Sequence, residues 1–246
     1  MLILPTEKNK PKVSNPRFLI LFGKPKSGKT TLVSQLDNCL IIDLEGGSEF
    51  LEALSIQARS VKDLGDIANA IRSEIEKTGK KPYKYIAIDN ATRLEEICLP
   101  YAADMYRQQP MAKNWKGTDV RTLDRGAGYF YLREAVAKVI SMFRSLCDNF
   151  ILIGHTKDKL INREGEDLTE MALDLVGKLG DITCGEADAI GYVYRKKNET
   201  VVSFKGGDGT IKEARAPHLR GKDIVIAESD ENNEVTVHWD KIFLPE

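Results

Sequence analysis

Cysteine is scarce and unpaired. Cys39, Cys98, Cys147 and Cys184 stand far apart, with no C-x-x-C pair and no histidine at ligand spacing. That pattern excludes a zinc module and a disulfide framework and leaves four free thiols, as a reducing compartment allows. Long apolar runs are missing: no stretch reaches the ~20 residues of a membrane-spanning helix. Met1 to Arg17 also lacks the uninterrupted apolar segment of a secretory signal. Nor is there an excess of either charge, since 36 basic against 37 acidic side chains give −1. No global field therefore draws the chain to DNA or to an anionic membrane, and any nucleic-acid contact must be a local patch. A soluble cytoplasmic protein with no membrane partner is expected.

What is present suits a core of ordinary size, with 42% apolar residues in a chain of 246. Residues 1–16 carry Lys, Pro, Asn and Ser and read as a loose N-terminal arm; 17–246 read as a single domain. Short apolar runs at Phe18–Phe22, Cys39–Asp43, Tyr85–Asp89 and Phe150–Gly154 alternate with segments of helical period, the signature of an α/β fold around a mostly parallel sheet. Leu64, Ile67, Ala68, Ile71 and Ile75 recur at helix spacing behind Ser60 and Asp63, and Gly79 follows as a stop. Leu132, Ala135, Val136, Val139, Ile140 and Phe143 mark one face of a second helix. From about residue 185 the pattern turns β-rich, with strands expected at Ala187–Tyr194, Thr200–Phe204, Asp223–Ala227 and Glu234–Trp239.

The most specific signal is Gly23-Lys24-Pro25-Lys26-Ser27-Gly28-Lys29-Thr30, a P-loop set between an apolar strand and a helical segment. Glycine lets such a loop turn its backbone N–H groups onto phosphate oxygens. Residues Gly23 to Thr31 are thus the expected phosphate cradle, with Lys29 reaching the β- and γ-phosphates and the Thr30 hydroxyl placed to ligate Mg²⁺. A second apolar strand ending in an acid should hold the ion's hydration shell, and Tyr85-Ile86-Ala87-Ile88-Asp89 fits that Walker B role. The next residue is Asn90, where many AAA+ machines and helicases carry the glutamate that polarises water, so the base comes from elsewhere.

Taken together, the P-loop, "IDLEGGS" (42–48), "IDNAT" (88–92), Arg125–Tyr129, "LIGHTKDK" (152–159) and "GKLGDITCGEAD" (177–188) resemble one family. It is that of the phage-encoded, core-only RecA-like ATPases of single-strand annealing and homologous recombination, and the resemblance spans roughly residues 15–220. It implies a RecA-like fold, ATP with Mg²⁺, and self-association as a ring or filament in the host cytoplasm. The full-length recombinases' N-terminal helix-strand module is not evident, which leaves only Leu2–Asn15 as an interaction arm.

By this resemblance Glu45 is the general base, with Asp43 its rival, and His155 is a sensor facing the γ-phosphate. Lys212, Arg215 and Arg220 are candidate cations acting on the next protomer's nucleotide. Two loops should face single-stranded DNA. One holds Arg107, Lys113, Lys116, Arg121 and Arg125 around Trp115; the other carries Lys157, Lys159 and Arg163 after the sensor. The expected function is a single-stranded-DNA-dependent ATPase aiding phage annealing or recombination. The alternatives are a nucleotide-switched helicase loader or packaging partner, and a small-molecule kinase.

Overall fold

Hydrophobic alternation explains the centre of the molecule. Strand β1 (Phe18–Gly23) is fully buried. Phe18, Ile20 and Phe22 point into one apolar cluster, and Leu19 and Leu21 into another on the opposite face of the sheet. A strand covered on both sides reads as a continuous apolar run, as a parallel sheet requires. The structure is a computed structural model describing residues 6–7, 13–163, 166–207, 211–232 and 234–245, with side chains 161–168 left undescribed.

After β1 come α1 (Lys29–Ser34), β2 (Cys39–Asp43), β3 (Ser55–Gln57), α2 (Val61–Thr78), β4 (Tyr85–Asp89), α3 (Ala91–Arg107) and α4 (Gly128–Arg144). Then follow β5 (Asn149–Arg163), β6 (Glu166–Leu173), α5 (Leu179–Glu186), β7 (Ala189–Lys196), β8 (Glu199–Ser203), β9 (Glu213–Ala214), β10 (Asp223–Ser229) and β11 (Val235–Val237). The sheet order is β11-β10-β8-β7-β1-β5-β4-β2-β3. From β7 to β3 every pairing on this path is parallel; β8, β10 and β11 add antiparallel strands at the other end. This is the expected mostly parallel α/β sheet with a β-rich C-terminal extension, and β5 lies between the P-loop strand β1 and the acid-ended strand β4.

Helices α2, α3 and α4 cover one face. The other carries α1 and the C-terminal residues Trp239, Ile242 and Phe243. Trp239 Nε1 donates to Leu32 O at 2.8 Å, satisfying a carbonyl near the end of α1. Helix α2 begins and ends where its caps predict: Asp63 N donates to Ser60 Oγ at 3.1 Å, and Gly79, at φ 70°, closes it through Ile75 O. All four cysteines are free and buried, and burial pushes each thiol up to about 12.

Two expectations need correction, and one helix was not foreseen. The strand foreseen as Phe150–Gly154 continues to Arg163 and pairs antiparallel with β6, from Thr156↔Leu173 to Arg163↔Glu166. The segment after His155 is therefore one arm of a hairpin. Helix α3 was not among the foreseen elements, because Pro100 interrupts its pattern; Asn90 caps it, accepting from Arg93 N at 3.0 Å. The expected strand Glu234–Trp239 shrinks to Val235–Val237, and Trp239 opens a 3₁₀ turn that packs it against α1. Most of the expected N-terminal arm lies outside the described residues. Its end is tied down, with Asn15 exchanging hydrogen bonds with Leu244 at 2.8 and 2.7 Å.

Candidate active site

Parallel pairing lines up four strand ends. Gly23 of β1 stands beside His155 of β5, and Asp43 of β2 beside Asp89 of β4. The P-loop leaves β1 at this edge. Its two outer glycines serve different ends: Gly28 has φ 93°, which only glycine adopts freely, whereas at Gly23 a Cβ would stand 2.4 Å from the Val193 carbonyl of β7. The second requirement, close approach of another strand, differs from the dihedral role expected for Gly23. Helix α1 is only six residues long, so the loop amides and Lys29 supply most of the attraction for phosphate.

The Lys29 side chain is buried, and its Nζ donates to Gly23 O at 3.0 Å, Lys24 O at 2.9 Å and Ser27 Oγ at 3.4 Å. Burial lowers its pKa, opposed by the negative charges of Asp89 and Glu45. Thr30 Oγ1 donates to Asp89 Oδ2 at 2.6 Å. Burial raises the Asp89 pKa; the Thr30 bond works against that, while Asp43 and Glu45 add to it. A hydroxyl and a carboxylate in contact beside a phosphate loop form an all-oxygen donor pair, which fits a hard cation such as Mg²⁺. Lys24, Pro25, Lys26, Ser27 and Thr31 complete the loop, and an open cleft of about 530 Å³ runs past Lys29, Thr30, Asp89, Glu45 and His155.

Asp43 is buried, and its carboxylate is fully engaged. Oδ1 accepts from Glu45 N at 2.9 Å and Gly46 N at 2.7 Å; Oδ2 accepts from Ser48 N at 2.8 Å and Ser48 Oγ at 2.5 Å. Burial alone would raise its pKa, but these four bonds outweigh it and hold the group below the usual carboxylate range. Asp43 thus fixes the loop that carries Glu45, while the Glu45 carboxylate itself is half-exposed in the cleft. Glu45 Oε2 lies 3.8 Å from His155 Nε2.

His155 Nε2 is also 3.0 Å from Asn90 Nδ2. The Asn90 Oδ1 accepts from Arg93 N, which turns Nδ2 towards the imidazole and makes Nε2 the acceptor. A neutral imidazole in this arrangement carries its proton on Nδ1, which is buried with no hydrogen-bond partner among the described residues. Beyond Asn90, α3 contacts the segment that follows the hairpin. Thr92 Oγ1 donates to Asp174 O at 2.9 Å, and Val176 N donates to buried Glu95 at 2.7 Å.

The residues expected to meet DNA divide into two groups. Arg107 is paired with Asp104 and donates to Gly117 O at 2.9 Å, Arg121 pairs with Asp119 at 2.7 Å, and Lys159 pairs with Asp181 at 2.8 Å. Lys157 donates to Leu175 O. Trp115 is half-buried, edge-on to Tyr106 and under the Arg107 guanidinium, so it serves packing. Lys113, Lys116 and Arg125 are exposed with no hydrogen bond or ion pair among the described residues, and Met111 and Phe130 lie exposed in the same stretch of chain. The Arg163 side chain falls outside the described residues. Of the three later cations, Arg215 pairs with Asp188 at 3.2 Å, Arg220 donates to Ala214 O at 3.1 Å, and Lys212 stands over the Tyr192 ring.

Sequence reasoning missed several residues of the cleft, two of them with large side chains that reach it. Phe50, 92% exposed, and Arg195 of β7 both line it. Neither lies in a motif; Arg195 arrives only through the pairing of β7 with β1.

A strand, a P-loop closed by Lys29 and Thr30, and an acid-ended strand within hydrogen-bonding reach together have the arrangement of a P-loop nucleotide site. Residues 15–223 match a family described as an AAA domain, and the chain belongs to that family. No curated protein matches the sequence. Among solved structures it is similar to the RadB recombinase, at 14% identity and TM-score 0.47 over 90% of each chain. It is also similar to a KaiC-like protein of Pyrococcus horikoshii OT3, at 13% identity and TM-score 0.45 over 90% of this chain and 89% of that one. No helix among the described residues is long and apolar enough to cross a membrane.

Proposed function

We propose that the protein hydrolyses ATP with Glu45 as general base and that single-stranded DNA controls the reaction, in annealing or recombination of phage DNA. The observation that carries the hydrolytic half is the Asp43-anchored loop, which presents the Glu45 carboxylate to the cleft opposite Lys29. A half-exposed carboxylate can take a proton from water, whereas Asp43 has no free lone pair facing the cleft. Thr30 and Asp89 would hold Mg²⁺, which neutralises phosphate charge when bound. Lys29 exchanges its loop oxygens for phosphate oxygens.

His155 touches both the base and the residue that caps α3, so a change at the γ-phosphate end has a packed route to the segment 174–176. That segment follows the β5–β6 hairpin, and Lys113, Lys116 and Arg125 supply the free cations for a DNA backbone. Self-association as a ring or filament belongs to the same reading.

The test is steady-state phosphate release from ATP with and without single-stranded DNA, beside Lys29→Ala and Glu45→Gln. Stimulation by DNA, loss of nucleotide binding in Lys29→Ala, and a kcat lowered ~10²- to 10⁴-fold with binding retained in Glu45→Gln are expected. An unchanged rate and no DNA binding would remove the DNA half and leave a nucleotide-switched partner protein as the better description.

A further inference from the structure

Strand β7 runs on beyond the point where β1 turns into the P-loop. Tyr192 is the partner of Phe22, and the Val193 carbonyl presses on Gly23. Val193 belongs to the apolar cluster on the α1 face of the sheet. Arg195, two residues later, projects to that same face because strand side chains alternate, and there it meets the loop. A Cβ on Gly28 would lie 3.4 Å from Arg195 Nη2 and 3.7 Å from Nε. The guanidinium lines the cleft with Lys29 and Thr30. On its other side it borders a narrow groove with Thr31, Lys197, Asn198 and Val235. It has no hydrogen bond and no acidic partner among the described residues, unlike Arg215 and Arg220, which are held by their own neighbours.

An unpaired guanidinium seated on a phosphate loop is suited to an anion. Its position decides which one. The Gly-rich backbone cradles the α- and β-phosphates, while Lys29, Asp89 and Glu45 gather at the γ end. Arg195 stands over Gly28 and beside Thr31, on the α/β side. We infer that Arg195 acts in cis on the α- and β-phosphates of the bound nucleotide, so that each copy of the chain completes its own diphosphate site without a neighbour. This rests on the nucleotide-binding reading above and adds to it the cation that holds ADP as well as ATP.

The experiment is calorimetric titration of the full chain with Mg-ATP and Mg-ADP, for the wild type, Arg195→Ala and Arg195→Lys, at protein concentrations spanning a hundredfold by a fluorescent nucleotide on the dilute side. Expected is an approximately tenfold rise in Kd for both nucleotides in Arg195→Ala, as for loss of one charge-assisted contact in a half-open site. Arg195→Lys should recover part of it, and the effect should be the same at every protein concentration. An unchanged Kd for both nucleotides overturns the inference. So does a loss confined to ATP with ADP binding intact, or an effect that vanishes on dilution, which would place the cation on γ or in trans. The apo melting curve checks the fold, and Arg195→Gln replaces Arg195→Ala if the latter melts early. A wild type that binds neither nucleotide would take down the ATPase reading and this inference together, whereas a wild type that binds and an Arg195→Ala variant that binds equally removes only this one.

Discussion

Replacing Asp43 by Asn separates a positioning role from a catalytic one. The amide oxygen can still accept from Glu45 N and Gly46 N, but the new NH₂ faces Ser48 N, so a donor meets a donor where Oδ2 now accepts two bonds. A hydrogen bond to a charged group contributes about 1.5–3 kcal/mol, and an unsatisfied buried donor costs a similar amount. With partial relaxation the loss should be about 3 kcal/mol, a melting temperature lower by roughly 6–12 °C for a chain of this size. The pH dependence has a definite sign. The folded-state pKa of Asp43 is depressed, so its contribution is present above the unfolded value of about 3.9 and is lost as pH falls through the folded one. The gap between wild type and variant should therefore be full at pH 7 and shrink below about pH 4. Thermal unfolding followed by circular dichroism across pH, beside phosphate release, gives both numbers. kcat should fall with Glu45 loosened, and stability should fall with it. A variant of undiminished stability that has lost hydrolysis as completely as Glu45→Gln would make Asp43 the base and refute this account.

Asp89→Asn should stabilise the nucleotide-free protein while abolishing Mg²⁺-dependent hydrolysis. The folded pKa of Asp89 is raised, mainly by burial, so the wild type loses stability as pH rises through that value and the variant does not. Melting curves should coincide near pH 3.5 and separate at pH 8, with the variant higher; the reverse order would mean that the Thr30 and Lys29 contacts outweigh burial. Replacing Lys113, Lys116 and Arg125 together by Ala should weaken single-stranded DNA uniformly across sequences and lower the slope of log K against log salt by about 2, at roughly 0.7 per phosphate contact. An unaltered slope in a filter-binding or anisotropy titration would move the DNA surface elsewhere.

Features set by neighbours in sequence were the legible ones. The P-loop, the acid-ended strands and the caps of α2 at Ser60 and Gly79 each depend on a few adjacent residues, and each stands where the pattern puts it. What the sequence hid depends on pairing at long range. The cations of the 107–125 segment look alike in a string, yet Asp104 and Asp119 neutralise two of them and leave three without an ion pair among the described residues. Lys157 and Lys159 read as a loop because the partner strand β6 follows only after a turn. Whether a basic residue faces solvent or its own acid is a tertiary fact, and composition does not carry it.

Arg195 and Gly23 show the same limit from the other side. A glycine in a P-loop is read as a dihedral requirement, but the neighbour that forbids a side chain at Gly23 is Val193, 170 positions away in sequence, and two residues beyond it stands the arginine that reaches Gly28. The parallel pairing of β1 with β7 produces both effects at once. The β-rich C-terminal part therefore borders the P-loop directly, through the Val193 carbonyl at Gly23 and the Arg195 guanidinium at Gly28, so the shape of the cleft depends on how β7 sits against β1.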